Sequence, residues 1–178
     1  MKVPFKKITI VTAIGGAGIL ALGALAYAAG ARVNTSRSIA LGLYWTSHQL
    51  AAKGAYVLFC PPQIPAIAEA RRRGYIGAGF CPSGSGYMMK KILAAESDAV
   101  AISDAGVSVN GELLAFSAPL SRDTAGRPLP RYRYAKFNIG KSELLLMSDV
   151  SKLSFDGRYF GPVDRSQIKA VIVPVITW

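Results

Sequence analysis

Hydrophobic and polar positions divide the chain into two unlike parts. Residues 8–31 form a run of 24 without a charge, behind a tip that carries Lys2, Lys6 and Lys7. A helix of that length, rising about 1.5 Å per residue, covers the roughly 30 Å hydrocarbon layer of a bilayer. The run exceeds the core of a typical signal peptide, about 7 to 15 residues, although Ala26-Tyr27-Ala28 resembles a small-residue cleavage site. A retained anchor is the expectation and a cleaved leader the alternative. Lysines before the run and a long basic body after it predict a cytoplasmic N-terminus with the body on the other side. Gly15, Gly16, Gly18 and Gly23 also suit helix packing in lipid.

Beyond the run the apolar stretches are short and separated by turn residues, which predicts strands over 41–45, 56–60, 87–95, 99–102, 107–113, 143–147 and 168–178. A helical turn is expected over 66–73, with Pro65 near its first position and Gly74 as its stop. Residues 77–86 and 119–130 read as loops, and 148–163 packs acids, serines and an arginine into an irregular stretch that marks a site or an elaborate turn. Small polar residues from Asn34 followed by Gly42-Leu43-Tyr44-Trp45 read as a loop that delivers Ser38 onto the start of a strand, a reasonable mounting for a nucleophile. Alternation across a strand sends the neighbours Lys90 and Lys91 to opposite faces. One can be buried while the other is solvated, and a lysine buried without a carboxylate is a lysine kept neutral. The alternative is an edge strand on which both lysines oppose aggregation.

At 178 residues, with about 30 given to the anchor, the remainder suits one domain with a real core. Its 18 glycines and 10 prolines agree with a β-rich, turn-rich body without internal repeats. The formal charge is +11, of which the body beyond the anchor carries +8. Arg71-Arg72-Arg73 and the run from Arg131 to Lys136 are the visible patches, and a solvated basic face near phospholipid headgroups is favoured over nucleic-acid readout. Cys60 and Cys81 are each followed by proline; in an exported domain such a pair suggests a disulfide, worth about 3 kcal/mol, against the alternative of two reduced thiols. Two cysteines and the single His48 do not make a closed zinc site, so neither metal nor cofactor is expected.

Three separated stretches, in order, resemble the serine-lysine type I signal peptidase family. The first is Ser36-x-Ser38. The second, from Lys90 to Val100, is similar to the family's Lys-Arg-x-x-Gly-x-Pro-Gly-Asp-x-Val and is followed by Val109-Asn110-Gly111 in a hairpin; counting back from Asp98 selects Lys90 over Lys91. The third joins Ser148-Asp149 to the stretch from Ser154 to Gly161, similar to Gly-Asp and Ser-x-Asp-Ser-Arg-Tyr-Phe-Gly. The Asn-x-Ser-x-Ser-x-x-x-Gly-Leu-Tyr opening, the single anchor and the excursion bounded by proline and cysteine resemble the TraF-type branch, which matures the pilin of conjugative plasmids. Ala40 stands where that branch commonly has proline, Glu96-Ser97 replaces Pro-Gly and Ser148 replaces glycine; no reacting group is lost.

The resemblance implies Ser38 as nucleophile and Lys90 as its base. A lysine can take that task if its pKa falls from about 10.4 to about 7, a shift worth about 4 kcal/mol that burial can supply. It assigns Ser154 to orienting the lysine, Ser36 and the Ser38 N–H to an oxyanion hole, Asp156 to activity, and Asp149 and Arg158 to support. A carboxylate touching Lys90 would raise its pKa, so Asp156 is expected to pair with Arg158 or orient Ser154 instead.

The fold implied is mainly β with short helices, an antiparallel signal-peptidase-like domain behind one transmembrane helix. Residues 1–31 would be the anchor and 32–178 a periplasmic peptidase domain, with an excursion at 60–82 and a small insertion at 114–140. The expected partners are a pilin precursor as substrate, the bacterial inner membrane and other components of the transfer apparatus. A general signal peptidase and a non-catalytic assembly factor are the competing functions.

Overall fold

The structure, a computed structural model, describes residues 5–132 and 135–178, with the side chains of residues 5–8 outside that description. Lys2 and the Arg133-Tyr134 part of the basic aromatic run therefore lie outside the described residues, as do the side chains of Lys6 and Lys7. The chain divides into two compact units, Met1–Arg32 and Val33–Trp178. The first holds α1 (Phe5–Ala28), whose segment Thr9–Ala28 is long and apolar enough to cross a bilayer and exposes its side chains. At its end the Arg32 guanidinium lies over the Tyr27 ring, 3.9 Å from the centroid, and donates to the Tyr27 carbonyl at 2.7 Å.

The strands are β1 (Ala31–Asn34), β2 (Gly42–Ser47), β3 (Tyr56–Phe59), β4 (Met88–Ala94), β5 (Ala99–Ser103), β6 (Gly106–Val109), β7 (Glu112–Leu113), β8 (Lys136–Asn138), β9 (Glu143–Met147), β10 (Val163–Asp164) and β11 (Ile168–Thr177). Two short helices, α2 (Pro65–Arg72) and α3 (Gly157–Phe160), complete the set. Among the described residues one seven-stranded sheet runs β1-β2-β11-β3-β4-β9-β10 and one four-stranded sheet runs β7-β6-β5-β8. From β2 through β10 in the first sheet, and throughout the second, the strands pair antiparallel. The expected mainly antiparallel β fold with few short helices is what the chain adopts.

The sheet positions the lysines. β4 lies between β3 and β9, so the edge-strand alternative for Lys90 and Lys91 is excluded. Lys90 pairs with Val57 and Lys91 with Tyr56, and alternation carries them to different environments. Val57 and Ile92 belong to the main core with Phe59, Leu146, Phe155 and Tyr159. On the other side Tyr56 and Met89 pack against a smaller cluster of Ile39, Tyr44, Leu58 and Ile172.

Cys60 and Cys81 form a disulfide, with Cα atoms 5.5 Å apart, closing the excursion that contains α2. The three arginines there bond groups of the protein itself, inside the excursion and beside it. Arg72 and Arg73 both pair with Glu69, Arg71 donates to the Ser83 carbonyl at 2.7 Å and Arg73 to the Pro128 carbonyl at 2.7 Å. The basic patch read there is an internal set of ties as much as a solvated face. The stretch 148–163, read as irregular, contains α3 and ends on the first residue of β10. Gly157 opens α3 because a Cβ there would meet the Leu145 side chain at 2.7 Å and the Leu146 carbonyl at 3.0 Å, so the helix can press against β9 only without one.

Candidate active site

Ser38 does not begin a strand, as the sequence reading had it. It sits on a turn between β1 and β2, with β2 starting at Gly42. The turn is held from inside by the side chain of Asn34, which is only 4% exposed. Its Nδ2 donates to the carbonyls of Ser36 at 2.8 Å, Ile39 at 3.0 Å and Ala40 at 2.9 Å, and its Oδ1 accepts from the Ser36 N–H at 3.1 Å and the Ser36 hydroxyl at 3.0 Å. Ile39 is fully buried and Tyr44 Oη donates to the Ala40 carbonyl at 2.8 Å, which fastens the far side of the turn. Neither the Ser38 N–H nor its hydroxyl has a hydrogen-bond partner among the described residues.

Lys90 is 2% exposed and donates from Nζ to Ser154 Oγ at 2.8 Å. Burial pushes its pKa down to about 8; Asp156 acts in the opposite direction and Arg158 in the same one. Lys90 and Ser38 line one cavity of about 320 Å³, together with Ser36, Met88, Met89 and Phe155. A second cavity of about 450 Å³ also opens on Ser38 and is bordered by Ser154. The structure thus brings Ser36, Ser38, Lys90 and Ser154 to adjoining spaces.

Asp156 is fully buried and does not bond Lys90. Its Oδ1 accepts from Arg158 Nε at 2.8 Å and its Oδ2 from Arg158 Nη2 at 3.0 Å and from the Ser148 N–H at 3.0 Å. It also caps α3, accepting from the Arg158 N–H at 3.3 Å. Arg158, equally buried, donates to the carbonyls of Phe116 at 2.7 Å and Lys152 at 3.3 Å, so the pair ties the segment before α3 to the loop after β7. Asp149 lies with the other lysine, 2.8 Å from Lys91 Nζ. His48 is an exposed loop residue in none of these contacts.

A buried lysine held by a serine and sharing a cavity with an unbonded serine on a turn is an arrangement suited to acyl transfer. The model of signal peptidase, peptidase S26, matches residues 8–178. This chain belongs to the signal peptidase S26 family. It is 64% identical over 173 residues to a plasmid transfer protein TraF of Escherichia coli, covering 97% of each chain. A second plasmid transfer protein TraF of Escherichia coli is 59% identical over 174 residues, 98% of each. A probable conjugal transfer protein TraF of Sinorhizobium fredii is 34% identical over 158 residues, 86% of this chain and 80% of that one. The resemblance to the signal peptidase family and its TraF-type branch is thereby shown.

In this signal peptidase S26 chain, sequence reasoning passed over one residue of the site. Asn34 belongs to the opening motif, and the motif alone gives it no role. The signal that could have found it is an asparagine two residues before the first serine, since Asn side chains bond the backbone two residues on.

Proposed function

We propose that the chain is a membrane-anchored serine endopeptidase of conjugative transfer that processes a pilin precursor with a Ser38–Lys90 dyad. One observation carries this reading: an amine 2% exposed, with its pKa pushed down to about 8, borders the same cavity as a serine hydroxyl that has no hydrogen-bond partner among the described residues. In the reaction the neutral Lys90 Nζ takes the Ser38 Oγ proton as Oγ attacks the scissile carbonyl carbon. The resulting oxyanion accepts from the Ser38 N–H and from the Ser36 hydroxyl, which exchanges its bond to Asn34. Collapse breaks the C–N bond, and the Lys90 ammonium returns its proton to the departing amine. The acyl group on Ser38 is then released to water or to the precursor's own N-terminal amine, the latter giving a ring.

Ser154 orients Lys90 through their 2.8 Å hydrogen bond, Asp156 and Arg158 hold the stretch that carries Ser154, and Asp149 supports the opposite face. The names of the TraF relatives support a role with the transfer apparatus, and a dedicated precursor follows from that role. Residues 1–31 act as a retained single-pass anchor in the inner membrane, which the length and composition of Thr9–Ala28 support. Residues 32–178 form the periplasmic domain. The disulfide fits an oxidising compartment, and the lysines of the N-terminal tip fit a cytoplasmic start.

The test is purified full-length protein, wild type and Ser38→Ala, incubated with candidate pilin precursors and with unrelated secreted precursors, products weighed by mass spectrometry. The reading requires a shortened pilin from the wild type only, and a ring product lacks the water that a hydrolysed one gains. Cleavage of the unrelated precursors would make the protein a general signal peptidase instead. An intact pilin with both proteins would overturn the reading.

A further inference from the structure

The larger cavity at Ser38 differs in charge from the one that holds Lys90. Its walls are apolar and aromatic at Tyr75, Leu120, Leu129, Leu153, Phe155 and Tyr159, and its cations are Arg37 and Arg122. The carboxylate among its lining residues, Asp123, is already spoken for. Its Oδ1 accepts from the N–H groups of Ala125 at 2.9 Å and Arg127 at 2.8 Å, and its Oδ2 from Arg127 Nε at 2.7 Å and from the Tyr75 hydroxyl. The Tyr75 hydroxyl first, and the Arg127 contacts with it, hold that carboxyl well below the usual carboxylate range. Asp123 therefore balances Arg127 and leaves the two lining arginines uncompensated.

Arg37 is exposed and makes no hydrogen bond or ion pair among the described residues, although it stands between Ser36 and Ser38. Arg122 spends one donor, Nη1 to the Gly126 carbonyl at 2.7 Å. A guanidinium keeps several donors in a plane that matches a carboxylate. At about 450 Å³ the space accepts a few residues of peptide, and its greasy walls suit apolar neighbours of the charged group.

We propose that this cavity is a carboxylate-recognising subsite, in which Arg37 and Arg122 select a precursor bearing a carboxylate close to the bond that is cut. The inference deepens the peptidase reading and rests on it. Two groups share that chemistry, an Asp or Glu side chain and the free carboxylate of a chain end a few residues beyond the scissile bond. Arg37 and Arg122 are then specificity-determining residues that raise affinity for the right substrate without joining the proton transfers.

The experiment uses full-length protein in detergent micelles and short fluorescent peptides with small residues at the cleavage position. Each peptide carries Glu, Gln or Lys at one position near that bond, with its end as free acid or amide. Binding is measured first to Ser38→Ala, so that it is read without turnover. The expected result is about tenfold tighter binding of one carboxylate-bearing peptide over its Gln or amide counterpart, the preference weakening with salt. The same ratio falls to near one in Arg37→Gln/Arg122→Gln and is partly kept in Arg37→Lys, and a general loss of binding cancels in such a ratio. A Glu-against-Gln preference identifies a side chain and an acid-against-amide preference identifies a chain end. Equal binding of all peptides, or a preference that survives the double substitution, overturns the inference. Separately, a neutral acylating probe is applied to the wild type: labelling at Ser38 while the peptides bind without any charge preference refutes the subsite alone, whereas no labelling refutes the peptidase reading even if the peptides discriminate.

Discussion

Lys90 and Lys91 are chemically identical, adjacent on β4 and driven in opposite directions. Lys90 faces the main core, touches one hydroxyl and has its pKa pushed down to about 8 by burial. Lys91 faces Tyr56 and the Asp149 carboxylate, whose hydrogen bond raises its pKa against a smaller desolvation. Both sides of the strand contain an aspartate. What differs is where the aspartate is committed: Asp149 is given to Lys91, whereas both oxygens of Asp156 go to Arg158. A general base made from lysine needs burial and also needs the nearest carboxylate occupied elsewhere. Arg158 does the second task, and as a cation it also lowers the Lys90 pKa directly.

The sharpest way to break the comparison is to exchange the two lysines' fates. Lys90→Met should abolish Ser38 acylation, a loss of about 10²–10⁴-fold or more for a lost base, while leaving the fold intact because an apolar chain replaces a buried amine. Acylation by a small probe, followed by mass, checks it. If Lys90→Met still acylates, the base lies elsewhere.

Breaking the Asp156–Arg158 pair comes next. Asp156→Asn leaves a fully buried guanidinium without its counter-charge, and removal of one partner of such a pair costs about 3–5 kcal/mol. It also removes the group that raises the Lys90 pKa, so whatever folded enzyme remains should reach full activity at lower pH than the wild type. Denaturant unfolding and a pH–rate profile measure the two effects independently. An unchanged profile would mean that Asp156 acts on Ser154 through structure alone.

The wild-type profile is itself a prediction. kcat/KM reports ionisations of the free enzyme, so it should rise through a single step near the Lys90 pKa of about 8 and level off above it. The sign for stability follows from linkage. Folded Lys90 releases its proton near 8 and the unfolded chain near about 10.4, so the unfolded state holds more protons between those values and stability rises with pH across that window. Lys90→Met should flatten that rise. A profile that climbs only near the ordinary lysine range would sink the neutral-base account.

Asn34→Ala should lower kcat by about tenfold with the position of the pH step unchanged. The turn that aims Ser38 loses five side-chain hydrogen bonds while the Lys90 surroundings stay as they were. Asn34→Asp keeps the acceptor and loses the three donated bonds, so partial rescue would show that the Ser36 contacts matter most.

The sequence made the lysine contrast legible because period-two alternation is local: Met88, Lys90 and Ile92 against Met89 and Lys91 can be read along one strand. The apolar helix, the hairpin after Asp98 and the Cys60–Cys81 pairing could also be read, each from a short stretch or from a pair with one sensible partner. The position of β4 inside the sheet could not, because it depends on β3 and β9 arriving from distant stretches of chain. Strands of two to four residues such as β1, β7, β8 and β10 are too short to show a period. α3 is one turn long, and its helix rests on the Asp156 cap and the missing Cβ of Gly157 more than on any pattern. Arg37 and Arg122 lie far apart in the sequence, and only the fold brings them to one cavity.

The smallest expected effect belongs to the other lysine. Lys91 and Asp149 are 28% and 24% exposed, so solvent screens their contact and the pair should be worth no more than about 1 kcal/mol. Lys91→Gln removes the charge and shortens the side chain by one atom but keeps a donor for Asp149, so unfolding should shift by less than that amount and acylation of Ser38 should stay within about twofold, since the proposed proton path runs on the opposite face. Its pH signature has the opposite form to that of Lys90. The folded pKa of Lys91 is raised, so its contribution is fully present below the unfolded value of about 10.4 and disappears as pH climbs through the folded one. Measured across pH 8 to about 10.4, the Lys90→Met difference should therefore grow smaller with rising pH while the Lys91→Gln difference stays flat. If both substitutions gave the same pH dependence, the two faces of β4 would not be electrostatically separate, and the assignment of base and bystander would fail with them.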